Sequence, residues 1–332
     1  MYFCPVNLST GQFFSIDNEA TFNEVALAVF KFQSENCAIY SAYIQNLKTD
    51  FSSLKSYKEI PFLPISFFKS HTVLSKTDEP EIVFSSSGTT GQITSKHFVS
   101  DVKIYQESYN KAFQQFYGEP KDICILALLP SYLEREGSSL IYMVDDLLKQ
   151  SKHPQSGYFL HDLAALHQTL LALKKAKQKT ILIGVTYALL DFIEQFQIDF
   201  PELIVMETGG MKGKRKEMVR EELHEALYAG FGVQNIHSEY GMTELLSQGY
   251  SYGQGIFYCP PWMKILLRDT SDPLSLVQGK QSGGINVIDL ANINSCSFIA
   301  TQDLGKGYED GSFEVLGRFD NADIRGCNLL VQ

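Results

Sequence analysis

Between residues 81 and 228 short apolar runs alternate with longer amphipathic ones, and this rhythm most narrows what the chain can fold into. Asp122–Leu129, Thr180–Val185 and Leu203–Glu207 are strand-length, and Glu81–Ser85 is a further short strand candidate. Helical periodicity fills Asp101–Phe116, Ser138–Lys149, Leu160–Lys175, Tyr187–Phe196 and Arg215–Tyr228. Strands that alternate with helices predict βαβ units, right-handed crossovers and mostly parallel sheets flanked by helices, an α/β fold. Ahead of this region, Ala20–Phe32 places Phe22, Val25, Ala26, Val29 and Phe30 on one helical face. PFLPISFFKSH, with Pro61 and Pro64, is expected to be extended. Beyond Gly249 the helical period fades, and short alternating runs (Ile265–Arg268, Gly284–Ile288, Ser312–Leu316) predict a smaller antiparallel β subdomain. With no internal repeat or low-complexity linker, the expectation is one body: a helical and extended segment over 1–80, an α/β core over 81–248 and a β-rich part over 249–332.

Composition excludes several classes. The chain has 332 residues, 44% hydrophobic and 20% charged, an ordinary globular balance. A net charge of −10 argues against a general nucleic-acid binder, which needs a basic face. No run reaches the roughly 20 apolar residues that span a bilayer. The first residues lack a basic start followed by an apolar stretch, and the six cysteines show neither a CxxC pair nor metal spacing. A cytoplasmic protein with reduced thiols and no structural zinc is expected.

Four segments can carry chemistry. In FSSSGTTGQITSKH (84–97), Gly88 and Gly91 let backbone N–H groups turn inward as an anion nest. Ser86, Ser87, Thr89 and Thr90 add hydroxyl donors, and Lys96 adds charge. The spacing is not that of a Walker A loop, and by itself the segment fits a flexible surface loop equally well. In HSEYGMTE (237–244), Tyr240 offers an aromatic face, Thr243 a hydroxyl and Glu244 a hard oxygen suited to nucleotide-borne magnesium. METGG (206–210) ends a strand in a Gly209–Gly210 turn, where parallel sheets collect ligands, or where a tight turn simply needs positive φ. Late in the chain, Asp303 in TQDLG can accept from two ribose hydroxyls, and Arg318 in GRFDNADIRGCN can pair with a phosphate. In isolation these two read as a loop acid and a surface ion-pair partner.

Order and spacing change that weighting. SSSGTTGxxxSK, TGG, YGMTE, TxD and GRxDxxxxRG, in that order over 84–328, resemble the adenylate-forming superfamily of acyl- and aryl-CoA ligases, luciferases and peptide-synthetase adenylation domains. PFLPISFFK, LLPSYLEREGSSL, HSEYGMTEL and GRFDNADIRGCNLL look most like the acyl-protein synthetases, the fatty-acid–protein ligases of the bacterial luminescence reductase system. The resemblance implies that Ser86–Gly91 and Lys96 close over the phosphates of ATP and that Gly209 and Gly210 flank the adenine and the acyl channel. It implies that Tyr240 stacks on the base, Thr243 touches the α-phosphate and Glu244 ligates Mg2+. Asp303 would hold the ribose, and Arg318 would sit beside the nucleotide. The implied reaction activates a fatty or aryl acid as acyl-AMP.

Relative to that pattern the C-terminal lid and its lysine are expected to be absent. In the acyl-protein synthetases a cysteine near the C-terminus accepts the acyl group and passes it to a reductase-like partner, and Cys327 matches that position. Arg318 and Arg325, near in sequence, would favour its thiolate. Against this, Cys327 can be a small hydrophobe that ends a strand. A CoA-ligase-like enzyme with its lid supplied elsewhere and a non-catalytic adenine-nucleotide or acyl-adenylate binding subunit are the other readings. Ser138 is expected to cap a helix rather than act as a nucleophile, since no GxSxG surrounds it. His161 and His167 lack metal spacing. His237 either borders an acyl pocket or is a satisfied core histidine.

Overall fold

In the computed structural model the described residues are 10–75, 79–87, 93–131, 136–209, 215, 218–277 and 282–319. The first helices are α1 (Thr10–Phe13), α2 (Glu19–Asn36) and α3 (Ala38–Asn46). Asn18 caps α2 by accepting from the Thr21 amide at 2.9 Å. The buried face of α2 comprises Phe22, Val25, Ala26, Val29 and Phe30, as the periodicity predicts, and continues to Gln33. Strand β1 (Leu63–Pro64) follows, then a single helical turn, α4 (Phe67–Ser70). That turn corrects the extended reading of PFLPISFFKSH. Pro64 lies ahead of it and costs no helical hydrogen bond, while Phe68 packs into the core. Among the described residues, strands β2 (Ile82–Ser85) and β3 (Lys96–Val99) pair only with each other, antiparallel.

Helix α5 (Val102–Tyr117) leads into the alternating region: β4 (Cys124–Leu128), α6 (Ser139–Ser151), β5 (Gly157–Tyr158), α7 (Leu163–Ala176), β6 (Thr180–Val185), α8 (Thr186–Gln195), β7 (Ile204–Thr208), α9 (Arg220–Phe231) and β8 (Ile236–Tyr240). Strands β9 (Gly249–Ser251) and β10 (Ile256–Tyr258) complete it, in the order β10-β9-β8-β7-β6-β4-β5. All neighbouring pairs from β8 to β5 are parallel, and β8–β9 is antiparallel. β4 and β6 are buried at every position, because helices cover both faces of such a sheet. Ser138 caps α6, as expected. Helix α9 begins at Arg220, five residues later than predicted. Arg215 is held by Asp191 and Glu194 of α8, and Val219 is extended.

The last strands are β11 (Met263–Arg268), β12 (Ser282–Asp289), β13 (Phe298–Gly307) and β14 (Phe313–Arg318). They pair antiparallel in sequence order, and β1 joins β13 in parallel. Contacts divide the chain into two compact units. The first comprises Met1–Tyr105, Glu244–Ser247 and Tyr258–Gln332, and the second Gln106–Thr243 and Gln248–Phe257. Among the described residues no helix is long and apolar enough to cross a membrane, and Cys37, Cys124, Cys259 and Cys296 are free thiols.

Candidate functional site

In the first unit the β2–β3 hairpin carries both flanks of the Ser/Gly segment. Ser85 pairs with Lys96, and the ladder extends through the Ser86 amide donating to the Ser95 carbonyl at 3.1 Å. The Ser95 amide donates to Ser86 Oγ at 2.9 Å, so this hydroxyl already serves the hairpin, while Ser87 is exposed. Gly88, Thr89, Thr90 and Gly91 lie outside the described residues. Strand alternation sends Ser95 and His97 inward, both buried, and turns Lys96 outward. Lys96 lines an open groove of about 440 Å3 together with Lys69, His71 and Thr94.

Glu244 occupies a turn after β8 and is 6% exposed. Burial pushes its carboxyl above the usual carboxylate range, opposed by a hydrogen bond from Ser95 and by the charges of Arg318 and Lys69. Its main chain is fixed from β12 and the turn beyond. The Asn292 side-chain Nδ2 donates to the Glu244 carbonyl at 2.8 Å. The Leu246 amide and the Ser247 hydroxyl donate to the two carboxylate oxygens of Asp289 at 2.7 and 2.6 Å. Trp262 Nε1 donates to Ser247 Oγ at 3.0 Å. Asp289 is fully buried, and burial pushes its carboxyl up to about 6.

Asp303 and Arg318 face each other across β13 and β14, and Arg318 Nε donates to Asp303 Oδ1 at 3.1 Å. The Asp303 side chain is 8% exposed and that of Arg318 is 76% exposed, so the acid is a fixed acceptor and the guanidinium keeps free reach. Among the described residues no group of three or more His, Cys, Asp and Glu is placed to hold a metal. A single buried carboxylate fits magnesium that arrives with phosphates and waters, because such ions need only one or two protein carboxylates. Of the groups gathered around Glu244, sequence reasoning missed Lys69, His97, Asp289 and Asn292. Lys69 is the single charged residue of the apolar segment PFLPISFFK and belongs to no charge pattern there.

The second unit holds the METGG and HSEYGMT segments at the carboxyl ends of β7 and β8. Gly209 has φ of +75°, which a side chain would strain, and Gly210 lies outside the described residues. The Thr208 hydroxyl donates to Glu239 Oε2 at 2.7 Å and ties the two strand ends together. A Cβ on Gly241 would collide with the Glu239 carboxylate. Tyr240 is buried, with its ring edge-on to Phe257 at 5.9 Å, and Thr243 is half-buried. His237 lies among the rings of Tyr117 and Tyr252, with Nδ1 3.3 Å from the Tyr117 hydroxyl. Burial pushes His237 down to about 4, so it is a neutral member of an aromatic cluster at pH 7. An apolar void between α5, α6 and the sheet, lined by Phe113, Met143, Leu147 and Met206 among others, measures about 10 Å3. That is room for one water-sized sphere, a packing defect rather than an acyl channel.

Comparison with known proteins agrees with this architecture. A search of curated proteins gives no match. Among solved structures, 2-hydroxyisobutyryl-CoA ligase in complex with 2-HIB-AMP and CoA in the thioesterification state superposes with a TM-score of 0.70 at 16% identity, covering 96% of this chain and 73% of that one. ATP-bound MatB from Rhodopseudomonas palustris gives 0.54 at 17% identity over 71% of this chain and 47% of that one. The chain thus spans about seven-tenths of the first and about half of the second. At this identity the likeness establishes the fold, that of the adenylate-forming ligases. The family model described as "Acyl-protein synthetase, LuxE" matches residues 5–332. The chain therefore belongs to the LuxE acyl-protein synthetase family, ATP-dependent enzymes that form acyl-adenylates.

Proposed function

We propose that the protein activates a fatty acid and then carries it as a thioester. The fatty acid carboxylate attacks the α-phosphorus of ATP, giving acyl-AMP and pyrophosphate. The Cys327 thiolate then attacks the acyl carbonyl, forming a thioester and releasing AMP, and a nucleophile of a reductase-like partner takes over the acyl group, releasing the Cys327 thiolate. The observation that carries this reading is the surroundings of Glu244: a buried carboxylate on Ser95, within reach of the charges of Lys69 and Arg318. Two anions that repel each other must be brought together, so cations and fixed donors around the phosphates provide most of the catalysis.

Within that reading Lys69 and Lys96 hold the phosphates, together with the Ser86–Gly91 segment. Glu244 would hold magnesium, which neutralises phosphate charge when bound. Asp303, preset by Arg318 and by its amide on Thr301 Oγ1 at 3.1 Å, accepts the ribose hydroxyls. Gly209, Gly210 and Tyr240 are assigned to the adenine and Thr243 to the α-phosphate, on the family resemblance. Cys327 lies outside the described residues, and its role rests on the resemblance. Two facts about other proteins support the sequence of steps: the MatB structure holds ATP, and the 2-hydroxyisobutyryl-CoA ligase structure holds an acyl-adenylate together with a thiol, CoA. Transfer to CoA instead of Cys327 is the competing second half. Incubation with labelled fatty acid and ATP is expected to leave a hydroxylamine-labile adduct on the protein that Cys327→Ser lacks. An undiminished adduct in Cys327→Ser removes Cys327 as the acyl carrier.

A further inference from the structure

We infer that Asn292 is a positioning residue that sets Glu244 in register with the strand bearing Lys96. The inference rests on the reading of Glu244 as the carboxylate that serves magnesium on ATP. Asn292 is 0% exposed, in the short turn between β12 and β13. Each end of its side-chain amide has a different task. Nδ2 donates to the Glu244 carbonyl at 2.8 Å, and Oδ1 lies 2.9 Å from His97 Nε2. Because Oδ1 can only accept, His97 Nε2 is the protonated nitrogen. The Asn292 carbonyl accepts from Gln33 Nε2 at 3.0 Å, and the same amide group reaches the Ile293 carbonyl at 2.9 Å. Gln33 Oε1 accepts from the Ser297 amide at 2.9 Å. Three elements, α2, β3 and the Glu244 turn, thus meet on one asparagine.

The geometry makes this more than core packing. Ser95, just ahead of β3, and His97 within it are two apart and share the inner face, while Lys96 between them points into the groove. Ser95 bonds the Glu244 carboxylate, and His97 reaches the Glu244 carbonyl through Asn292. Glu244 is therefore joined to the Lys96 strand at two points, one at its side chain and one at its backbone. The net stabilisation from each of these buried hydrogen bonds is modest, about 0.5–1.5 kcal/mol. What the polar set adds is a fixed placement, because only a planar group with a donor and an acceptor satisfies both neighbours. His97 also packs edge-on to Phe68, whose chain neighbour is Lys69, with ring centroids 5.7 Å apart. The same hub therefore supports the second cation of the groove.

The test separates placement from stability by measuring equilibrium binding of ATP with and without Mg2+ by titration calorimetry. The ratio of the two constants is a property of each folded molecule and does not depend on how much protein folds. Asn292→Asp keeps the acceptor facing His97 and replaces the donor facing the Glu244 carbonyl. It is expected to reduce the Mg2+-dependent gain in ATP affinity by about tenfold, with Mg2+-free binding within about twofold of wild type. His97→Leu should show the same loss, and His97→Gln, whose amide still donates, should restore most of it. Should Asn292→Asp yield no folded protein, the two His97 variants decide alone. A lower melting temperature with an unchanged Mg2+ ratio in Asn292→Asp or His97→Leu overturns the inference and makes the hub purely structural. Wild-type protein whose ATP binding ignores Mg2+ overturns the reading of Glu244 beneath it.

Discussion

Asp289 gives the chain a pH dependence whose size follows from its burial. Its carboxyl moves from 3.8 to about 6 because burial outweighs the hydrogen bonds from Ser247, Leu246 and Ala291. The difference between these two values corresponds to about 3 kcal/mol. The folded state binds this proton more tightly than the unfolded chain, so the contribution is fully present below about pH 4 and is lost as pH rises through about 6. Asp289→Asn removes the titration. One amide oxygen can still accept from Ser247, while the new NH2 faces the Leu246 donor, a fixed cost that does not vary with pH. Between about pH 4.5 and 7.5 wild type should therefore lose about 2 kcal/mol of stability relative to the variant. The other carboxylates titrate alike in both proteins and cancel in the difference. Trp262 is the only tryptophan and hydrogen-bonds Ser247, so urea unfolding followed by its fluorescence reads this locality directly. A difference that stays constant with pH, or one that favours wild type as pH rises, refutes the argument.

Two further outcomes are expected. Gly241→Ala places a methyl group against the Glu239 carboxylate and disturbs its bond from Thr208; melting should show a loss of about 1–3 kcal/mol, with KM for ATP raised. Lys69→Gln should raise KM for ATP and for pyrophosphate in the reverse reaction by about tenfold, leaving KM for the acid unchanged; initial rates in both directions check it.

Much of the fold could be read from periodicity. The fully buried strands β4 and β6 are apolar throughout, and the α2 face follows its 3.6-residue period position by position. Gln33 occupies the next step of that same stripe, and a polar residue there was the one available hint of the buried hub. The β2–β3 hairpin was less visible, because β3 is four residues long and its pairing is set across the Ser/Gly segment. The motif order singles out Lys96, Glu244, Asp303 and Arg318 as candidates, but not the Asp303–Arg318 pairing, which depends on the register of β13 with β14. Nor does any sequence period mark Asp289 or Asn292. They flank Leu290 and Ala291 in a run that reads as a strand end, and their work becomes visible only when the Glu244 turn packs on them. His237 likewise needed its neighbours: its neutrality comes from burial among Tyr117 and Tyr252, residues distant in sequence.

The most direct test of the account is ATP–pyrophosphate exchange by the purified protein, with aliphatic acids of increasing length and a few aryl acids. Exchange that requires both Mg2+ and a long-chain aliphatic acid, and that survives in Cys327→Ser, is the predicted result, because adenylation precedes transfer to the thiol. Exchange with aryl acids alone, or none with any acid by a protein that binds ATP, contradicts the proposed fatty-acid activation.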